Sequence, residues 1–162
     1  MVKATPRGQY LAVSVNKALY NVGLVIYVLS FFLVATGDSR GVIGRMTGYE
    51  CAYLAVESSL TDNPFSPNSA VAATSAPLFV YFSILISGLI NPVFLIYVTL
   101  VSLKRAPRTA RALKFVLLSM IPFCWVIFYA LEVYPREGHV LWVIGMLLVF
   151  LPSWKQVSQQ TV

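Results

Sequence analysis

A single histidine, His139, lies two residues after Glu137 and seven after Glu132, while an earlier polar segment supplies Glu50, Cys51 and Glu57. An imidazole oriented by a carboxylate is the pairing used for proton transfer, and the same groups can ligate a metal ion. One histidine without a second strong nitrogen or thiolate ligand does not match the spaced sets of zinc or haem sites, so no metal is expected. Cys51 adjoins Glu50, whose charge disfavours the thiolate, the wrong direction for a nucleophile. Glu50, Cys51, Glu57, Glu132 and His139 therefore form a candidate site only if the chain folds them together. The sequence has no Gly-rich phosphate loop, no Gly-x-Ser-x-Gly elbow and no paired-histidine helix, and Gly41-Val42-Ile43-Gly44 reads as a turn. No cofactor is implied.

A second group is defined by spacing. Ser83, Ser87 and Asn91 recur every four residues beside Gly88, which aligns three polar side chains along one face of a helix. Small and hydrogen-bonding residues in such a row suit a contact between helices, at about 0.6 to 2 kcal/mol per bond in an apolar setting.

Apolar content dominates the segments that must position these groups. The 162 residues are 58% hydrophobic and 11% charged, against about 25% charged in ordinary globular chains. The mean hydropathy is +0.76. Apolar runs over about 18–37, 77–103, 112–134 and 139–154 predict an all-α, polytopic membrane protein with four crossings in one domain over 1–162, each run being set against a hydrocarbon thickness of about 30 Å. A signal peptide competes for the first run, since Ala35-Thr36-Gly37 imitates a cleavage site, but a signal core is usually about 7 to 15 residues and an anchor is preferred. Pro92, Pro122 and Pro152 lie inside the later runs and predict kinks or ends.

Charge sets the expected orientation. Lys3, Arg7, Lys17, Lys104, Arg105, Arg108, Arg111, Lys114 and Lys155 fall on one side of the four runs, while Asp38, Glu50, Glu57, Asp62, Glu132 and Glu137 fall on the other with Arg40, Arg45 and Arg136. The Lys104 to Lys114 cluster then becomes a cytoplasmic loop, both termini lie inside, and a bacterial inner membrane is the expected location. An outer loop over 38–76 holds a short amphipathic helix, with apolar or aromatic residues at 49, 52, 53, 56 and 60, and ends at Asn63-Pro64 and Ser66-Pro67. Trp142, Trp154, Tyr10, Tyr20 and Tyr134 fall where interfacial aromatic belts are expected. Cys51 and Cys124 are expected to be free thiols.

The four cores lack ionisable groups, which argues against a proton pump, a voltage sensor or a carrier of charged substrates. The net charge of +6 suits anionic lipid headgroups rather than nucleic acid. The expected function is a non-enzymatic membrane component, an accessory or assembly subunit or an immunity-type protein, with lipid and either a membrane-protein partner or copies of itself as contacts. The rival is a membrane enzyme or a small-molecule or metal site at the outer leaflet, built from Glu132, His139 and the loop carboxylates. A channel assembled around the Ser83, Ser87 and Asn91 row is the third possibility.

Overall fold

The structure, a computed structural model, describes residues 6–38, 45–61, 77–130 and 132–158, with side chains over 15–37, 45–57, 78–130 and 132–152. Lys3, Tyr10, Arg40, the Gly41 to Gly44 turn, Asp62, Pro64, Pro67, Trp154 and Lys155 lie outside the described residues or side chains. The elements run α1 (Pro6–Ser30), β1 (Val34–Asp38), β2 (Met46–Thr47), α2 (Gly48–Thr61), α3 (Pro77–Ser102), α4 (Pro107–Ala130), β3 (Val133–Pro135) and α5 (Glu137–Ser158).

Two of the expected crossings are divided between helix and sheet. The first apolar run ends as a helix at Ser30, turns through Phe31 to Leu33, and continues as β1, where Val34 and Thr36 supply β-branched side chains suited to a strand. The third run ends as a helix at Ala130, and Val133 and Tyr134 belong to β3. β1 is the central strand of a small antiparallel sheet in the order β2-β1-β3, with Thr36 opposite both Met46 and Pro135. Strands of five, two and three residues are too short to display the alternating pattern that marks a strand in sequence. The all-α expectation is corrected accordingly: the fold is mostly helical with a three-stranded sheet.

The four-crossing expectation is corrected as well. Among the described residues two helices, Leu78–Ser102 and Pro107–Ala130, are long and apolar enough to cross a membrane by length and composition. Within the described side chains of α1 and α5, the apolar stretches are Val15–Ser30 and Glu137–Pro152, in the 10–17 residue class. An extended apolar run was equated with a helix of the same length, and the sheet and turns take part of it. The N-in, C-in topology, the inner-membrane location and the lipid and membrane-protein partners rested on four crossings and are not supported. The outward faces of α1, α3 and α4 do remain apolar, with Val25, Phe82, Leu95 and Phe115 exposed.

Close packing between helices organises what is described. α1 and α5 form the most extensive pair, and Gly23 and Gly145 let their backbones meet: a Cβ on Gly145 would stand 2.7 Å from Tyr27 N. α3 packs on α4, and α2 lies across α3 where Gly88 faces the Ala55 carbonyl. Tyr27, Phe94, Tyr97, Leu117, Met146, Val149 and Phe150 fill the interior between these pairs. Tyr97 and Phe94 each meet Phe150 edge to face, at centroid distances of 5.2 and 5.9 Å, a favoured arrangement of ring quadrupoles.

Local signals set the helix ends. α3 stops in a Schellman arrangement, with Arg105 N donating to Leu100 O at 3.0 Å, Lys104 N donating to Val101 O at 3.1 Å, and Lys104 at φ 52°. Pro107 then starts α4 at a position where its missing N–H is not needed. α2 opens with a capping box: Thr47 N donates to Glu50 Oε2 at 2.7 Å, and Glu50 N donates to Thr47 Oγ1 at 3.4 Å. Replacing Gly145 by Ala places a methyl group against the Tyr27 backbone, so unfolding should become easier by about 1 to 3 kcal/mol. Thermal unfolding of the variant checks this, and an unchanged midpoint would show that the two helices can separate freely.

Candidate functional site

The candidate carboxylates do not converge. Glu50 is exposed at the start of α2, where the Thr47 backbone and hydroxyl hold its carboxyl below the usual range. It serves the helix terminus. Glu57 is exposed one turn from the end of α2, and Glu132 is exposed in the turn after α4 at φ 54°. The described residues contain no group of three or more His, Cys, Asp or Glu able to hold a metal ion. Of the five residues proposed from the outer face, only Cys51 and His139 line a common space.

That space is a cavity of about 380 Å³ with side chains from all eight elements around it. The helix ends and the sheet create it. Ser30 and Phe31 come from the end of α1, Ala35 and Thr36 from β1, and Cys51, Ala52 and Ala55 from α2. Ser87, Ile90 and Asn91 enter from α3, Cys124, Ile127 and Phe128 from α4, and His139 and Trp142 from α5. Among the described residues, no Asp, Glu, Lys or Arg lines it. Two close backbone approaches define its rim: a Cβ on Gly48 would fall 2.7 Å from Ser30 O, and one on Gly138 would fall 2.8 Å from Leu33 O. Glycine is required at both points because a side chain would push α2 and α5 off the end of α1.

The row of polar residues on α3 divides its work. Ser83 is fully buried and donates to Phe79 O at 2.8 Å, a bond that satisfies its hydroxyl within the helix. Ser87 Oγ lies 2.8 Å from Ser83 O and 3.3 Å from Cys124 Sγ, so it reaches both its own helix and α4. Asn91 reaches furthest. Its Oδ1 accepts from Tyr27 Oη on α1 at 2.9 Å and from Trp142 Nε1 on α5 at 3.0 Å. Burial pushes the Tyr27 phenol upward, which keeps it a donor. An indole N–H can only donate, so the carboxamide orientation is determined by chemistry. The sequence placed this row at a helix contact; the spacing alone did not show that its last member joins three helices or faces a cavity.

His139 is buried among rings. Trp142 stacks on it with centroids 5.4 Å apart and an interplanar angle of 28°, while Phe128 and Trp125 meet it edge to face at 4.6 and 5.6 Å. Its Nε2 has no hydrogen-bond partner among the described residues. Burial in this apolar surround pushes its pKa down to about 4, so the ring is neutral at ordinary pH. The expected pairing with Glu132 or Glu137 is absent from its described hydrogen bonds, which removes the orienting carboxylate that acid-base chemistry would use. The Cys51 thiol is pushed up chiefly by burial, with Thr36 Oγ1 3.6 Å from its sulfur. Cys51 and Cys124 are free thiols.

The basic cluster also divides. Lys104, Arg105, Arg108 and Arg111 are exposed around the α3–α4 link, but Lys114 is buried in α4 and donates from Nζ to Phe150 O at 2.7 Å. Its spacing in the sequence belongs to the loop, whereas its side chain belongs to the α4–α5 contact. Comparison with protein-family models, curated proteins and solved structures finds no match to this chain. The expected role as a subunit working through bilayer contacts, and its rival built on outer-leaflet carboxylates, are both corrected: the first loses its four crossings and the second its converging acids.

The neutral His139 has a consequence for stability. Its folded pKa of about 4 lies below the roughly 6.5 of an unfolded histidine, so the unfolded chain takes up the extra proton between those values. Stability must fall as pH falls from about 6.5 to about 4, by on the order of 3 kcal/mol in total. Urea unfolding of the native protein and of His139→Gln across that window checks the sign, since the native protein should lose more stability than the variant. Parallel pH profiles would mean that His139 is equally easy to protonate in both states.

Proposed function

We propose that this protein binds a small, uncharged and largely apolar molecule in the cavity between α2, the sheet, the middle of α3, the end of α4 and the start of α5. The observation that carries the reading is the half-open cavity itself, about 380 Å³ lined by all eight elements with no charged side chain among the described residues of its walls. Cavities that take small ligands fall in roughly this size range and combine an apolar lining with a few oriented polar groups. Ser30, Thr36, Ser87, Asn91 and His139 supply polar groups here, and the last is neutral. A charged ligand would lose its hydration without gaining a counter-charge. The function proposed is binding rather than catalysis, because His139 lacks an orienting carboxylate and both thiols are in surroundings that favour the protonated form.

Diphenylmethane, two rings without charge or hydrogen-bonding groups, is a suitable first probe. Equilibrium dialysis of the purified protein should give saturable binding near one equivalent, and Ala52→Trp, which puts an indole into the cavity, should weaken it about tenfold or more. Ile84→Phe fills the space from the opposite wall and should act likewise, with circular dichroism confirming that each variant retains its helices. Binding that is unsaturable, or unchanged in both folded variants, would place the probe on the exposed apolar faces and end the proposal.

A further inference from the structure

Asn91 carries information about the ligand beyond its size. Its carbonyl oxygen is occupied by two donors, Tyr27 Oη at 2.9 Å and Trp142 Nε1 at 3.0 Å. A carboxamide oxygen has two lone pairs, so this side is saturated. The same contacts hold the amide plane from opposite helices and leave Nδ2, with two N–H donors, making no hydrogen bond among the described residues. Asn91 lines the cavity.

The hydroxyl groups on the wall are committed. Ser30 Oγ donates to Tyr27 O at 2.6 Å, and Ser87 Oγ is engaged by Ser83 O and Cys124 Sγ. Thr36 Oγ1 is paired with Cys51 Sγ at 3.6 Å. Nε2 of His139 has no partner among the described residues, but it is buried among Trp125, Phe128 and Trp142 and not open to an entering molecule. The Asn91 amide is thus an open donor in a cavity whose hydroxyl groups are already bonded. An amide N–H that opens onto a largely apolar cavity gains a hydrogen bond when a molecule carrying an acceptor enters.

We infer that the ligand is a neutral carbonyl compound, a ketone, quinone, ester or amide on a predominantly hydrocarbon body, whose oxygen accepts from Asn91 Nδ2. This rests on the binding function proposed above and adds the polar group that selects among apolar molecules. A carboxylate is disfavoured because no cation lines the cavity among the described residues. A pure hydrocarbon fits but leaves the amide without a partner.

Matched two-ring probes separate the possibilities. Benzophenone should bind about five- to tenfold more tightly than diphenylmethane, the effect of one well-placed hydrogen bond, and diphenylacetate should bind more weakly than either. The carbonyl stretch of bound, carbon-13-labelled benzophenone should move to lower wavenumber than in hexane, which reports the hydrogen bond directly. Asn91→Asp keeps an acceptor for Tyr27 and Trp142 while replacing the amide donor by oxygen, so at pH 8.5 the benzophenone preference and the infrared shift should both vanish. Equal binding of benzophenone and diphenylmethane by the native protein would overturn the inference while leaving the cavity function intact. Failure of diphenylmethane to bind at the cavity would overturn the function itself. A preference that survives in a folded Asn91→Asp protein would assign the donor elsewhere and defeat the inference. If that variant does not fold, the native protein's preference and infrared shift still decide: both present support the carbonyl ligand, and either absent overturns it.

Discussion

A carboxamide oxygen in an apolar interior must find donors, and two must not be left without it; Asn91, Tyr27 and Trp142 satisfy that requirement together. The three side chains sit on α3, α1 and α5, so a single acceptor sets the relative position of three helices. Dispersion and apolar burial tolerate small shifts of one helix against another, whereas two hydrogen bonds to one oxygen do not. A buried donor deprived of its acceptor costs about 1 to 3 kcal/mol. The packing around this point is arranged to match: Tyr27 meets Phe94 at a centroid distance of 4.4 Å, and Gly145 passes under the Tyr27 backbone.

With α1, α3 and α5 held in this way, the space toward the sheet cannot be closed by sliding them together. β1 continues directly from α1 and pairs with β3, which leads into α5, so the sheet ties together the same ends of α1, α4 and α5. α2 closes the side, its start fixed by the Thr47–Glu50 box and by the approach of Gly48 to Ser30 O. The cavity is therefore a consequence of three constraints acting at different places. His139 belongs to the same logic, since stacking on Trp142 places its ring beside the indole that bonds Asn91.

The candidate site was legible in part, and the parts that were not have separate causes. His139 and Cys51 were singled out for their chemistry, and both line the cavity, though without the carboxylates grouped with them. Glu50 had a local signal that was passed over: Thr47-x-x-Glu50 just before an apolar-periodic stretch is the pattern of a capping box. Glu132 stands in a turn with a left-handed backbone, and neither its exposure nor its direction follows from residue type. Ser87 and Asn91 were recognised as one helix face by their spacing, but spacing within a helix carries no information about which other helices the face meets. Trp142 was assigned to an interfacial belt because of its position near the end of a run. Its indole N–H instead points to an acceptor 51 residues away along the chain.

The sequence by itself determined the things that depend on neighbours along the chain: high apolar content, a paucity of charge, the caps and prolines that bound helices, and the four-residue spacing that aligns Ser83, Ser87 and Asn91. It could not determine where an apolar run leaves a helix and enters a strand, because Val34 to Gly37 and Val133 to Tyr134 are as apolar as the helices before them and become strands only by pairing with each other. Only the tertiary structure brought Cys51, Asn91, Cys124 and His139 around one space, since the contacts that do so join residues tens of positions apart. Hydropathy measures a preference for leaving water; it does not specify what a side chain will meet when it has left.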